Sequence, residues 1–313
     1  MSELDVTAWL LDADPAIRWQ VMRDLTDAPA DAVAAERARV ATEGWGARLL
    51  ALQADDGQWG GGVYNPKWTS TTYTMLLLRL LGLDPDAPQT RVAVARVHEG
   101  VTWERRGGRP FFGGEWETCV NSMVLVLGAY FRVSDELVDD LLARVLDEQL
   151  EDGGWNCQAP RRSRVASFNT TILALEALLE FERSIRSDPA IASARARGEE
   201  YLLERRLFRS RSTGEVIRPE WTRFSFPPQW HYDVLRGLDH LRSTGHAPDE
   251  RCAEAIQLVR RRRQDDGRWL LQRTYPARTH FQMEDGDGEP SRWNTLRALR
   301  VLRWWDGGQS EQA

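Results

Sequence analysis

The sequence predicts an all-α fold assembled from repeated helical hairpins, and three observations carry that prediction. A loop signature recurs three times: Gln53-Ala-Asp-Asp-Gly57-Gln-Trp59, Gln149-Leu-Glu-Asp-Gly153-Gly-Trp155 and Arg263-Gln-Asp-Asp-Gly267-Arg-Trp269. Each copy is followed, after a loop, by a leucine-rich helix of apolar and small residues, and internal repetition of this kind marks a repeat architecture. Strand-like alternation of apolar and polar residues is nearly absent.

The glycine of each signature suits a helix C-terminus, because it accepts the left-handed conformation that ends the helix. Aligning the helices that follow by pattern matches Thr74, Ser122, Thr171, Val234 and Thr295, in steps of 48, 49, 63 and 61 residues. These helices, such as Met123-Val-Leu-Val-Leu-Gly128 and Ile172-Leu-Ala-Leu-Glu-Ala-Leu-Leu179, are apolar nearly all round and belong in an interior layer. More amphipathic outer helices are predicted over Asp31–Ala54, Asp86–Trp103, Ser134–Glu151, Asp188–Phe208 and Pro248–Asp266, with Ser134 and Asp249 as caps. Asp14–Leu25 supplies one more inner helix, which makes roughly six hairpins. A repeat of this length builds either an open superhelix or a closed ring.

The chain has 313 residues, 42% of them apolar, enough for a sizeable core in one domain spanning 1–313. Lys+Arg 41 against Asp+Glu 47 leaves a net charge of −6, which gives no support for nucleic-acid binding. The run Arg260–Arg263 falls in an outer helix and reads as a solvated face. The segment Met1–Asp14 is acidic and lacks the basic start of a signal peptide, and no apolar stretch is long enough to span a bilayer. With three cysteines, Cys119, Cys157 and Cys252, the expectation is a cytoplasmic protein with reduced thiols.

Several candidate site residues gather where loops lead into the inner helices. Tyr64, Trp68, Tyr73, Trp116, Phe168, Trp230 and Trp293 would make an aromatic wall suited to an apolar or cationic ligand. The tryptophans of the signature itself read better as staples between loop and helix. Cys119 and His231 each lie three residues before their alignment anchors, and Cys157 sits in the intervening loop. A thiolate and an imidazole are good zinc ligands, so Cys119, Cys157 and His231 form a candidate metal set. The competing reading makes the cysteines small core residues and His231 a local hydrogen-bonding group. His231-Tyr232-Asp233 and Glu117 are candidate acid–base groups, although neighbours along one helix face different ways. The acidic stretch Glu284–Glu289, with two glycines, reads as a solvated loop.

The Gln-x-x-Asp-Gly-x-Trp signature resembles the repeat of squalene cyclases and of protein prenyltransferase β subunits, over most of the chain from Leu49 to Trp305. The resemblance implies a single α/α toroid, with 1–30 closing the ring and 49–305 forming the repeats. It also implies an enzyme acting on an apolar, terpenoid-like substrate in a central cavity. Glu117-Thr-Cys119 is similar to the zinc-binding Asp-x-Cys pair of prenyltransferase β subunits, with His231 in the role of their histidine. Gly154-Trp-Asn-Cys157 is similar to part of the Cys/Cys/His zinc site of lanthionine synthetase-type cyclases. The departures are a glutamate for the aspartate, a Cys119–His231 spacing of 112 residues, and the absence of the Asp-x-Asp-Asp acid motif of squalene cyclases. A non-catalytic ligand-binding or scaffold toroid is the alternative expectation.

Overall fold

The structure is a computed structural model that describes residues 3–104, 107–133, 136–159 and 161–310. Among the described residues the chain is all-α apart from isolated β-bridges and one short ribbon, β1 (Thr102–Trp103) paired antiparallel with β2 (Arg109–Pro110). Those strands are too short to leave an alternating pattern in the sequence. The chain forms two compact units. One comprises Met1–Trp45, Leu202–Pro276 and Phe281–Ala313; the other comprises Gly46–Tyr201 and Ala277–His280.

In the second unit the inner helices are α5 (Thr71–Leu81), α7 (Thr118–Tyr130) and α9 (Phe168–Ser184). Helix α7 is buried at eleven consecutive-turn positions from Thr118 to Ala129 and packs along α9, as its nearly uniform apolar sequence requires. The outer helices α6 (Pro88–Gly100) and α8 (Glu136–Asp147) bury one stripe each, Thr90, Ala93 and Val97 in the first and Val138, Leu141, Leu142 and Val145 in the second, and α10 (Pro189–Leu203) follows α9. The expected cap Ser134 lies outside the described residues.

The first unit holds α1 (Glu3–Leu11), α2 (Pro15–Leu25), α3 (Ala30–Ala38), α11 (Val234–Ser243), α12 (Ala253–Arg261) and α13 (Arg292–Ser310). Asp14 caps α2 by accepting from the Ala16 amide at 2.9 Å, and Asp249 likewise accepts from the Arg251 amide at 2.8 Å. Helix α2 packs against α13. There the buried Arg300 reaches Asp24 at 2.5 Å and the Gln20 side chain at 2.9 Å.

The outer helix expected over 31–54 is interrupted. After α3 the chain makes a single 3-10 turn, and α4 (Gly44–Leu50) starts afresh at a glycine with φ of 62°. The Asp14 carboxylate explains the break, since its second oxygen accepts from the Trp45 amide at 2.8 Å. A Cβ on Gly44 would lie 2.1 Å from that carboxylate.

The three signatures repeat one set of contacts. The indole N–H of Trp59, Trp155 and Trp269 donates to the carbonyl ten residues earlier: Leu49 at 2.7 Å, Val145 at 2.7 Å and Val259 at 2.8 Å. Those carbonyls lie in the last turns of outer helices, where the regular intrahelical donors run out; those of Leu49 and Val259 also accept from the amides of Leu52 and Arg262 at 3.1 Å. The backbone amides of the same tryptophans donate to Thr71, Thr171 and Thr295 at 3.1, 3.0 and 3.0 Å. Each tryptophan therefore joins the end of one outer helix to the first turns of the next inner helix. Gln53 and Gln149 add bonds to Gly57 and Ala93, and to Gly153 and Ala194. Gly57, Gly153 and Gly267 have φ of 82°, 90° and 82°. These contacts correct the alignment: the partner of Thr171 and Thr295 in the first repeat is Thr71, not Thr74. Thr74 instead sits 2.8 Å from the imidazole of His280.

Candidate metal and ligand site

The residues with a shared chemistry converge where α7 begins. Glu117 is the residue before α7, Cys119 is its second residue, and Cys157 lies two residues past the stapled Trp155. The ligand atoms of Glu117, Cys119 and Cys157 all lie within 4.8 Å of one another. Cys119 Sγ donates to a Glu117 oxygen at 3.6 Å. The loop carrying Cys157 is closed at its base by Ser167 N–H donating to the Trp155 carbonyl at 2.8 Å. The Cys157 amide donates to Thr170 on α9 at 3.3 Å, so α7, α9 and the loop between them position the cluster together.

The two thiols hydrogen-bond each other and share their protons unequally. That bond, helped by the Thr170 hydroxyl, lowers the pKa of Cys157 to about 6. The same bond together with burial raises Cys119 well above the ordinary thiol value, and the nearby Glu117 charge adds to the rise. The cluster therefore sets two thiols of opposite acidity shift beside a carboxylate.

A cavity of about 440 Å³ adjoins the cluster. Glu117 belongs to its lining, with Val63, Tyr64, Trp103, Glu115 and Val120 among the others. Gly61 and Gly62 also line it; a Cβ on Gly62 would lie 2.1 Å from the Asn65 carbonyl, so that turn is restricted to glycine. Tyr73 donates to Tyr64 at 2.9 Å, and Trp68 meets the Tyr73 ring edge-on at 4.8 Å. Burial pushes Tyr64 up to about 12 and raises Tyr73 further, so both hydroxyls stay protonated.

The candidates named by the sequence divide between the two units. Glu117, Cys119, Cys157, Trp68, Tyr73, Trp116 and Phe168 belong to the second, whereas Trp230, His231, Tyr232, Asp233 and Trp293 belong to the first. Trp116 is 62% exposed, and Phe168 is buried against Tyr201 at 5.4 Å. The acid, thiol and imidazole groups that converge among the described residues are Glu117, Cys119 and Cys157, without His231. The imidazole of His231 is sandwiched between Trp230 and Tyr275, each ring centroid 3.7 Å away. His231 also precedes the α11 cap by two residues, whereas Cys119 lies inside the first turn of α7, so the two positions are not equivalent.

Tyr232 and Asp233 are occupied by structural bonds. Buried Tyr232 donates to the Leu207 carbonyl at 2.7 Å. Buried Asp233 caps α11, accepting from the Arg236 amide at 2.7 Å and from both the amide and the hydroxyl of Ser225. Trp293 is buried and stacks on Phe226 at 4.3 Å. Sequence reading missed Trp103 and Glu115 beside the cavity, and it took Glu284 for part of a solvated loop. Glu284 instead folds onto the start of α13, accepting from the Ser291 hydroxyl at 2.6 Å and the Trp293 amide at 3.2 Å. Its burial raises its pKa to about 7.

Among the described residues no helix is long and apolar enough to cross a membrane. No protein-family model matches the chain, and no curated protein matches it. Solved structures do. A protein from Actinoplanes aligns over 94% of this chain and 90% of its own at 19% identity and a TM-score of 0.44. The type II terpene cyclase MstE from Scytonema aligns over 97% of this chain and 88% of its own at 17% identity and a TM-score of 0.44. A variant of MstE in complex with geranylgeranyl dihydroxybenzoate aligns over 97% and 87% at 15% identity and a TM-score of 0.42.

Proposed function

We propose that the chain is an α/α-toroid enzyme that holds zinc at Glu117, Cys119 and Cys157 and works on an apolar substrate in the adjoining cavity. The observation that carries this reading is the convergence of two thiols and a carboxylate within 4.8 Å at the rim of a 440 Å³ cavity. The donor set fits the metal. Bond lengths of about 2.0–2.3 Å in a tetrahedron place ligand atoms roughly 3.3–3.8 Å apart, so a cluster held within 4.8 Å would close by up to about 1 Å around the ion. Two sulfurs favour a soft or borderline ion over magnesium or calcium. Three protein ligands leave one position for a substrate thiol or water, for which zinc supplies Lewis-acid activation.

The chain's own groups define what the cavity accepts. Trp103, Val63 and Val120 present apolar surface, while Tyr64, kept neutral and oriented by Tyr73, offers a hydroxyl without adding charge. The absence of the Asp-x-Asp-Asp motif argues against a proton-initiated cyclisation of the squalene type. A non-catalytic ligand-binding toroid is the second reading. It is favoured by the structural employment of Tyr232 and Asp233, which removes two candidate acid–base groups.

Elemental analysis of the purified protein tests the proposal. Stoichiometric zinc that is lost in Cys119→Ser and in Cys157→Ser but kept in His231→Ala supports it. A protein that stays metal-free after expression with zinc supplied would leave the ligand-binding reading.

A further inference from the structure

We propose that Cys119 and Cys157 form a thiol–disulfide exchange site that reacts with small-molecule disulfides and closes into an intramolecular disulfide. The inference uses two donors of the metal reading but does not depend on a metal.

Three features of the cluster point to it. The two sulfur atoms lie within 4.8 Å, so closing to the S–S length of about 2.05 Å needs a side-chain rotation with a small loop adjustment. The two residues differ in freedom. Cys119 is fixed in the first turn of α7, whereas Cys157 stands in the loop before α9, next to the exposed Gln158. Both thiols are only half-buried, and Glu117, whose carboxylate lies within 4.8 Å of both sulfurs, is exposed and lines the cavity. The third cysteine, Cys252, is fully buried in the other unit and serves as an internal control.

The chemistry balances with a glutathione-type disulfide as oxidant. Cys157 gives up its proton to water and its sulfur attacks one sulfur of the reagent; the reagent's S–S bond breaks, and one thiolate leaves with the electron pair and takes up a proton. Cys119 then attacks Cys157 Sγ, the mixed disulfide breaks, and the second thiolate leaves. Glu117, which accepts the Cys119 S–H at 3.6 Å, takes the proton that this second step releases. Two protein thiols are oxidised to one disulfide, and one reagent disulfide is reduced to two thiols. Closure also removes two of the three proposed metal donors, so oxidation and metal loading exclude each other.

The test is to expose the full-length, reduced and metal-stripped protein to excess oxidised glutathione. Remaining thiols are then blocked with N-ethylmaleimide and the peptides are mapped by mass spectrometry. The expected product joins the Cys119 and Cys157 peptides and leaves Cys252 maleimide-labelled. In Cys119→Ser the reaction should stop at a glutathione adduct on Cys157. In Glu117→Gln the second step should slow by about tenfold while the first is unchanged. Wild-type protein with both cysteines still labelled, or with a glutathione adduct that never closes, overturns the proposal without recourse to any variant. Cross-linking by a protein that never takes up zinc would sink the metal reading and leave exchange standing. Zinc uptake by a protein whose stripped form never cross-links would do the reverse.

Discussion

Replacing Trp155 with phenylalanine isolates one bond of the repeat. The indole of Trp155 is fully buried, and its N–H donates at 2.7 Å to the Val145 carbonyl, which lies in the last turn of α8. Glu148 N–H goes to Arg144 and Gln149 N–H to Leu146, so neither takes over the Val145 carbonyl. Phenylalanine keeps most of the ring but leaves this carbonyl buried and unpaired, a loss of about 1–3 kcal/mol. The missing ring atoms add roughly 1 kcal/mol, for a total of about 2–4 kcal/mol. Alanine should cost more, because about 3–5 kcal/mol of lost packing is added to the orphaned carbonyl. Urea unfolding followed by circular dichroism measures both differences. A Trp155→Phe protein within about 0.5 kcal/mol of wild type would show that the indole N–H does not hold the hairpins together and that the three matching bonds are incidental.

Three further sets of substitutions probe other elements. Gly57→Ala and Gly61→Ala form a matched pair, since both glycines have positive φ (82° and 72°), but only at Gly57 would a Cβ strike backbone, the Arg96 carbonyl at 2.5 Å. Gly61→Ala should cost about 1 kcal/mol and Gly57→Ala at least about twice that; equal losses in urea unfolding would mean that backbone conformation alone sets the penalty. Asp24→Ala leaves the buried Arg300 without its closest carboxylate and should cost about 3–5 kcal/mol, most of it recovered in Asp24→Leu/Arg300→Met. A double variant no more stable than the single would refute the role assigned to the unpaired charge. Glu284 has a folded pKa of about 7, above the ordinary glutamate value near 4.3, so folding favours its protonated form. Its contribution should be greatest below about pH 4, fall as pH rises towards 7, and then level off. Glu284→Gln should remove that fall, read as the difference in melting temperature between variant and wild type at pH 5 and pH 8; parallel curves would count against it.

The fold was legible because the repeat signature encodes contacts that lie close in sequence. A tryptophan bonds ten residues back, a glycine ends the helix between, and both leave a spacing that survives in the chain. The register was harder to read. Thr71 and Thr74 both fit an apolar helix pattern, and only the amide of Trp59 donating to Thr71 decides between them. The break at Gly44 was hidden for a similar reason, since the carboxylate that makes it, Asp14, lies 30 residues away at the cap of another helix.

The same error of phase explains the mixed reading of the site. Counting three residues back from pattern-matched anchors made Cys119 and His231 look equivalent. Yet one falls within a helix and the other before its cap, where the paired prolines of Phe226-Pro-Pro228 lead the chain into an aromatic stack. Cys157 could be placed beside Cys119 only by knowing how the intervening loop closes on Trp155 and Thr170. Glu117-Thr-Cys119 was visible as a motif because its two members sit at the start of one helix. Local motifs report what a single helix turn presents. The chemistry here depends on two successive hairpins bringing a second sulfur to that turn, and loop closure rather than residue spacing decides which sulfur arrives.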